Sequence, residues 1–155
     1  MIREIPNPYA DGHCFFCGPA NPASLKLTFF YDDEADLTFT DYTPESRFCG
    51  RDGVLHGGIQ MALLDEIMWW SAYASTGEEC AVTAGARFHF LRPVPVEVPL
   101  RLECSVKSRE GASINLTGRI LNAAGKVCTA VRGEYRVVSP EKLKLANGSG
   151  AGGAS

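Results

Sequence analysis

Four segments in the second half of the chain alternate apolar and polar residues with period two, as strands with one buried face do. Val82, Ala84, Ala86, Phe88 and Phe90 form one series, and Leu100, Leu102, Cys104 and Val106 a second. Ile114, Leu116 and Ile120 form a third, and Val127, Val131, Tyr135 and Val137 a fourth. Turn residues separate them: Arg92-Pro93-Val94-Pro95 with Pro99, then Glu110-Gly111, then Asn122-Ala123-Ala124-Gly125. The pattern predicts an antiparallel meander. Two shorter candidates in the first half, Leu25 to Tyr31 and Leu37 to Tyr42, flank the acidic turn Asp32-Asp33-Glu34, which brings the expected total to about six strands.

One segment breaks this rhythm. From Gly57 to Thr76, closing at Gly77, apolar residues fall on nearly every side of a helical wheel, among them Ile59, Met61, Leu63, Leu64, Ile67, Met68, Trp69, Trp70 and Tyr73. A helix that is apolar all round is a buried one. The expected fold is therefore α+β: one long central helix wrapped by an antiparallel sheet. A single domain is expected over residues 1–140, followed at 141–155 by a flexible tail rich in Gly, Ser and Ala.

At 155 residues and 45% apolar content, roughly 70% of the unfolded surface can be buried without disulfides or metal. The six cysteines are mostly scattered among apolar neighbours, as reduced thiols of a cytoplasmic protein are. No stretch reaches the roughly 18 apolar residues of a membrane span, and the first residues lack the layout of a signal peptide. The net charge of −3 lacks the basic excess of a nucleic-acid-binding domain. The charge is uneven, however: residues 1–85 carry 4 basic and 13 acidic side chains, and residues 86–155 carry 11 and 5. That split suits neutralisation between the halves or an anionic ligand on the second.

Candidate chemistry concentrates around the helix. Asp65 and Glu66 interrupt its apolar run, and a buried carboxylate costs several kcal/mol unless paired or neutralised. Adjacent helical residues point about 100° apart, so only one of the two can face a given pocket squarely. At the start of the helix, His56-Gly57-Gly58 leaves backbone N–H groups open where the helix dipole favours negative charge, as an oxyanion hole requires. His56 and Asp65 are nine residues apart, roughly 13 Å along the axis and on opposite sides of it. Acting on one substrate, they would have to come from two copies of the chain. Cys14-x-x-Cys17 beside His13 has zinc-ligand spacing, but a structural zinc site needs four ligands and no second such pair exists, so no metal is expected.

His56-Gly57-Gly58, Leu63-Leu64-Asp65-Glu66 and a later strand ending Phe90-Leu91-Arg92-Pro93 together resemble the hot-dog-fold thioesterases, in particular their phenylacetyl-CoA thioesterase-like branch. The run Cys14-Phe15-Phe16-Cys17-Gly18-Pro19-Ala20-Asn21-Pro22 is similar to the N-terminal segment of that branch, and the resemblance spans about residues 14–138. It implies an acyl-CoA thioesterase without a cofactor, a homodimer or dimer of dimers with sites straddling the subunit interface. Asp65 would be the general base or the nucleophile, and the Gly57 N–H of the opposite subunit the oxyanion donor. His56 would lie beside the carbonyl, and Thr83 would position the attacking water. Gly58, Glu66, Trp69, Arg87 and Arg92 are the expected substrate contacts. One of Trp69 and Trp70 is expected in the core and the other in an acyl tunnel, and Arg87, Arg92, Lys107 and Arg109 are candidates for the CoA phosphates. A thioester suits so small an apparatus, because a thiolate leaves without a strong acid. The alternative is a non-catalytic acyl-CoA-binding or protein-interaction module, which would not need a carboxylate in that helix. A dehydratase is disfavoured because its Asp/His pair lies in a different motif.

Overall fold

The computed structural model of the protein describes residues 1–146. Seven antiparallel strands form one sheet: β1 (Ile2–Glu4), β2 (Phe30–Asp32), β3 (Leu37–Tyr42), β4 (Ala81–Phe90), β5 (Leu100–Glu110), β6 (Ser113–Leu121) and β7 (Val127–Val137). Their spatial order is β1-β2-β3-β5-β6-β7-β4. The long helix α1 (Gly57–Thr76) packs against β3 to β7, and a short helix α2 (Pro140–Ala146) follows the last strand. This is the hot-dog arrangement.

The bounds of α1 coincide with the predicted segment. His56 caps its start, and Gly77 ends it with φ 76°, a left-handed conformation that glycine adopts without penalty. Leu63, Leu64, Ile67 and Met68 are fully buried, and Trp70 stacks on Phe29 at 4.9 Å. From the sheet they meet Leu102, Cys104, Ile114, Leu116, Ile120, Val131 and Tyr135. Each large side chain so enclosed contributes roughly 1.5–3 kcal/mol relative to exposure.

The helix is not covered all round. Gly58, Met61, Ala62, Asp65 and Trp69 recur at helical spacing on one side and are exposed or only half-buried, Met61 at 41%. Beside that stripe β4 is the edge of the sheet, bonded among the described residues to β7 alone, and most of its residues are exposed, Phe90 at 52%.

Four details depart from the sequence pattern. The alternation in β4 is not one series: the register shifts between Thr83 and Gly85, so Ala84 is an extra residue that exchanges the faces of the strand. Thr83 before the bulge, and Phe90 after it, both reach α1. The run from Leu25 to Tyr31 becomes strand only at Phe30. Lys26 has φ 50°, and the N–H groups of Leu25 and Leu27 donate to the carbonyls of Phe15 and Phe16, both at 2.9 Å. β1 is the seventh strand, and its three exposed residues carry no apolar alternation to announce it. The expected tail begins in α2 rather than as a flexible segment, because Pro140 suits a first helical turn and Glu141 its dipole; residues 147–155 lie outside the described residues.

Candidate active site

Asp65 sits midway along α1 above the pairing of β4 and β7. The hydroxyl of Thr83 donates to its Oδ1 at 2.7 Å, and the Tyr135 hydroxyl lies 2.6 Å from both Oδ1 and the Asp65 carbonyl oxygen. Thr83 and Tyr135 face each other across the two strands, so the ladder fixes the spacing of the two hydroxyls. Burial, with the Asp65 carboxylate beside it, pushes the Tyr135 phenol above its ordinary range and keeps its proton available for donation. Both hydroxyls converge on Oδ1, and among the described residues no hydrogen-bond partner holds Oδ2.

Eight residues back, about 12 Å along the axis, lies the second polar device. The Gly58 N–H donates to His56 Nδ1 at 2.8 Å, which assigns the imidazole proton to Nε2. The first α-helical bond is Gln60 N–H to His56 O at 3.0 Å, and the Gly57 N–H has no partner among the described residues. Of the two glycines, Gly57 therefore offers the free donor. A cleft of about 420 Å³ opens over it, lined among others by Arg51, His56, Gly57, Phe90 and Arg92, within the usual range for a ligand pocket. Gln60 forms its buried floor, donating to Leu55 O at 2.9 Å and accepting from Thr129.

Glu66 points elsewhere. Its carboxylate accepts from Trp70 Nε1 at 3.1 Å and lies 3.6–3.7 Å from Cys14 Sγ, apart from the hydroxyls that hold Asp65. Burial raises the Glu66 carboxyl to about 7. Hydrogen bonding with Cys17 draws the Cys14 thiol down to about 5, and the same bond pushes Cys17 up.

The expected site residues thus do not gather in one place. Asp65 and Thr83 meet; His56, Gly57, Gly58 and Arg92 meet at the helix start; Glu66 meets the N-terminal cysteines. Arg87 lies on the outer face of the sheet with His89, Lys107 and Arg132, in a concavity of about 920 Å³. Arg109 pairs with Glu78 at 2.8 Å and Arg101 with Asp41, so part of the charge split is neutralised between the halves. Trp70 is the core indole, and half-buried Trp69 stacks on Tyr73 and lies against Tyr9. The alternation marks Tyr135 only as an apolar strand position, although a buried phenol needs a partner for its hydroxyl. Arg51, which lines the cleft, carries no signal in that pattern.

A hot-dog protein with a hydroxyl-anchored carboxylate and an open helix start is the class that fold and site define. The model of the thioesterase superfamily matches residues 52–129, half of the chain, and the chain belongs to that family. Among similar solved structures is a thioesterase superfamily protein with 28% identity and a TM-score of 0.71, the match covering 79% of this chain but only 62% of that one. A putative thioesterase from Ralstonia eutropha, described as phenylacetic acid degradation-related, is 24% identical with a TM-score of 0.65, covering 77% of this chain and 90% of that one. A Streptococcus mutans protein bound to acetyl CoA is 16% identical with a TM-score of 0.62, covering 67% and 82%. The last two share the fold. Comparison with curated protein sequences finds no match.

Proposed function

We propose that the protein is an acyl-CoA thioesterase, hydrolysing an acyl-CoA or aryl-acyl-CoA to free acid and CoA in sites shared by two copies of the chain. The observation that carries this reading is the Asp65 carboxylate, fixed through one oxygen by two hydroxyls and, among the described residues, without a hydrogen-bond partner at the other. Asp65 Oδ2 takes a proton from water as the water oxygen attacks the thioester carbonyl carbon. The oxyanion that forms is stabilised by the Gly57 N–H, with His56 Nε2–H beside it. Collapse expels the CoA thiolate, which needs little acid assistance because a thiol ionises near pH 8.5. Thr83, in this reading, holds the base rather than the water itself. The acetyl CoA bound by the Streptococcus mutans relative is consistent with this substrate class.

The case for two copies is geometric. The base and the oxyanion donor lie about 12 Å apart on one helix, too far to meet at one carbonyl. The free edge of β4 and the exposed stripe of α1 form one continuous surface. Antiparallel pairing of β4 with its copy sets the Thr83 end of one strand against the Phe90 end of the other. Thr83 bonds to Asp65, and the Phe90 ring lies over Gly57, so this pairing brings base and donor together across a two-fold axis. Arg51 and Arg92, at the mouth of the same cleft, are suited to the CoA phosphates, whereas Arg87 faces the other side of the sheet. Half-buried Trp69 at the end of the stripe suits the acyl group. We assign one domain over residues 1–140, a dimer or dimer of dimers, and the cytoplasm, whose reducing conditions suit six free thiols.

Thiol release from acyl-CoA esters of increasing chain length and from arylacetyl-CoA, with Asp65→Asn as control, tests this function. Turnover of at least one class that disappears in the variant is expected. Binding without turnover in the native chain would favour a non-catalytic module, and equal turnover by both proteins would remove Asp65 from the mechanism.

A further inference from the structure

The N-terminal turn and helix α1 bring three metal-binding groups together outside the candidate active site. Cys14 and Cys17 come from one tight turn, closed by the Gly18 N–H donating to Cys14 O at 2.8 Å. Gly18 is required there, since a Cβ at that position would overlap the backbone of Cys14 and Gly12. The Phe16 N–H donates to Cys14 Sγ at 3.4 Å, an arrangement that supports a thiolate. Glu66 enters from α1, 52 residues away from Cys14 in sequence, and one donor atom from each of the three residues lies within 4.8 Å of the other two.

The spacing is informative. With zinc–sulfur and zinc–oxygen bonds of about 2.3 and 2.0 Å, the sulfur–oxygen edge of a tetrahedron is about 3.5 Å and the sulfur–sulfur edge about 3.8 Å. Cys14 Sγ stands 3.6 and 3.7 Å from the two Glu66 oxygens. Three groups that bind metals as anions face one another, and no lysine or arginine among the described residues pairs with Glu66. A thiophilic divalent cation supplies the missing charge. Oxygen-seeking ions such as magnesium or calcium do not suit two sulfur donors.

We propose that Cys14, Cys17 and Glu66 form a site for a thiophilic divalent cation of the zinc class, with its fourth position open to water or an exchangeable ligand. The ion clips the N-terminal turn to α1 at the residue following Asp65. The sequence shows no second pair of that spacing to complete four ligands; the fold adds Glu66 as a third. This inference is independent of the thioesterase reading.

The test uses the full chain, reduced and stripped of metal, titrated with Co²⁺ and then with Zn²⁺. One Co²⁺ per chain is expected, with sulfur-to-cobalt charge-transfer absorption and the visible bands of a tetrahedral ion, displaced by one equivalent of Zn²⁺. Cys14→Ser and Cys17→Ser should each reduce the charge-transfer signal and weaken binding, and Glu66→Gln should weaken it about tenfold or more. X-ray absorption of the zinc-loaded native chain reads the donor set without any variant, and should show two sulfur and two oxygen neighbours. Absence of the charge-transfer band, a donor set with no sulfur or with four, or unchanged affinity in Glu66→Gln would each overturn the proposal.

Discussion

Asp65 and Glu66 are consecutive residues of one helix, yet their surroundings prepare them for different work. Asp65 lies on the half-exposed stripe of α1, beside the open sheet edge, where two hydroxyls grip one oxygen and, among the described residues, no hydrogen-bond partner holds the other. Glu66 lies a hundred degrees around, behind the N-terminal turn, where burial raises its carboxyl to about 7 and its neighbours are an indole and two thiols. The difference shows that a carboxylate in an apolar helix is not by itself a catalytic signal. What separates the two is which neighbours reach them and whether an oxygen remains free to take up a proton.

Asp65→Asn should lower kcat by about two to four orders of magnitude, with the circular dichroism and unfolding transition kept close to native. Next comes Gly57→Pro, which removes the proposed oxyanion donor at a helix position that tolerates proline; His56, at φ −56° and ψ 134°, already has the extended backbone that must precede it. A loss of about 10² to 10³ in kcat, with little change in KM, is expected from steady-state kinetics. Tyr135→Phe should cost about tenfold in kcat, since Thr83 still holds the carboxylate. The raised Tyr135 phenol adds a sign: it stays protonated well into the alkaline range, so pH–rate profiles of the native enzyme and Tyr135→Phe should share the same alkaline limb. A limb near pH 10 that vanishes in the variant would contradict that assignment. At the bottom of the scale, Glu66→Gln should change kcat by less than about threefold in metal-free protein, as suits a carboxylate turned toward Trp70 and Cys14.

These contrasts also explain what could be read from the sequence. The span of α1 and the inward residues of β5 and β6 follow from periodicity and capping, and the family resemblance singles out Asp65 and Thr83, though with Thr83 holding water rather than the carboxylate it bonds. The phase of β4 did not follow from periodicity, because one extra residue at Ala84 exchanges its faces without any change in composition. Leu25 and Leu27 read as strand but bond to the turn at Phe15 and Phe16, a tertiary pairing that local pattern does not encode. Tyr135 stood in an inward position with an apolar label, and only the fold shows its hydroxyl meeting Asp65. The junction of Cys14 and Cys17 with Glu66 depends on a turn docking against a distant helix, so spacing along the chain held no trace of it.

In the proposed dimer the base of one copy and the oxyanion donor of another form one site. Co-expressing Asp65→Asn with Gly57→Pro under two affinity tags, and isolating the mixed dimer, tests it directly. A shared site predicts about half the native activity per dimer, because one of its two sites receives both intact residues. A mixed dimer as inactive as either parent would place the two devices within a single chain and contradict the claim.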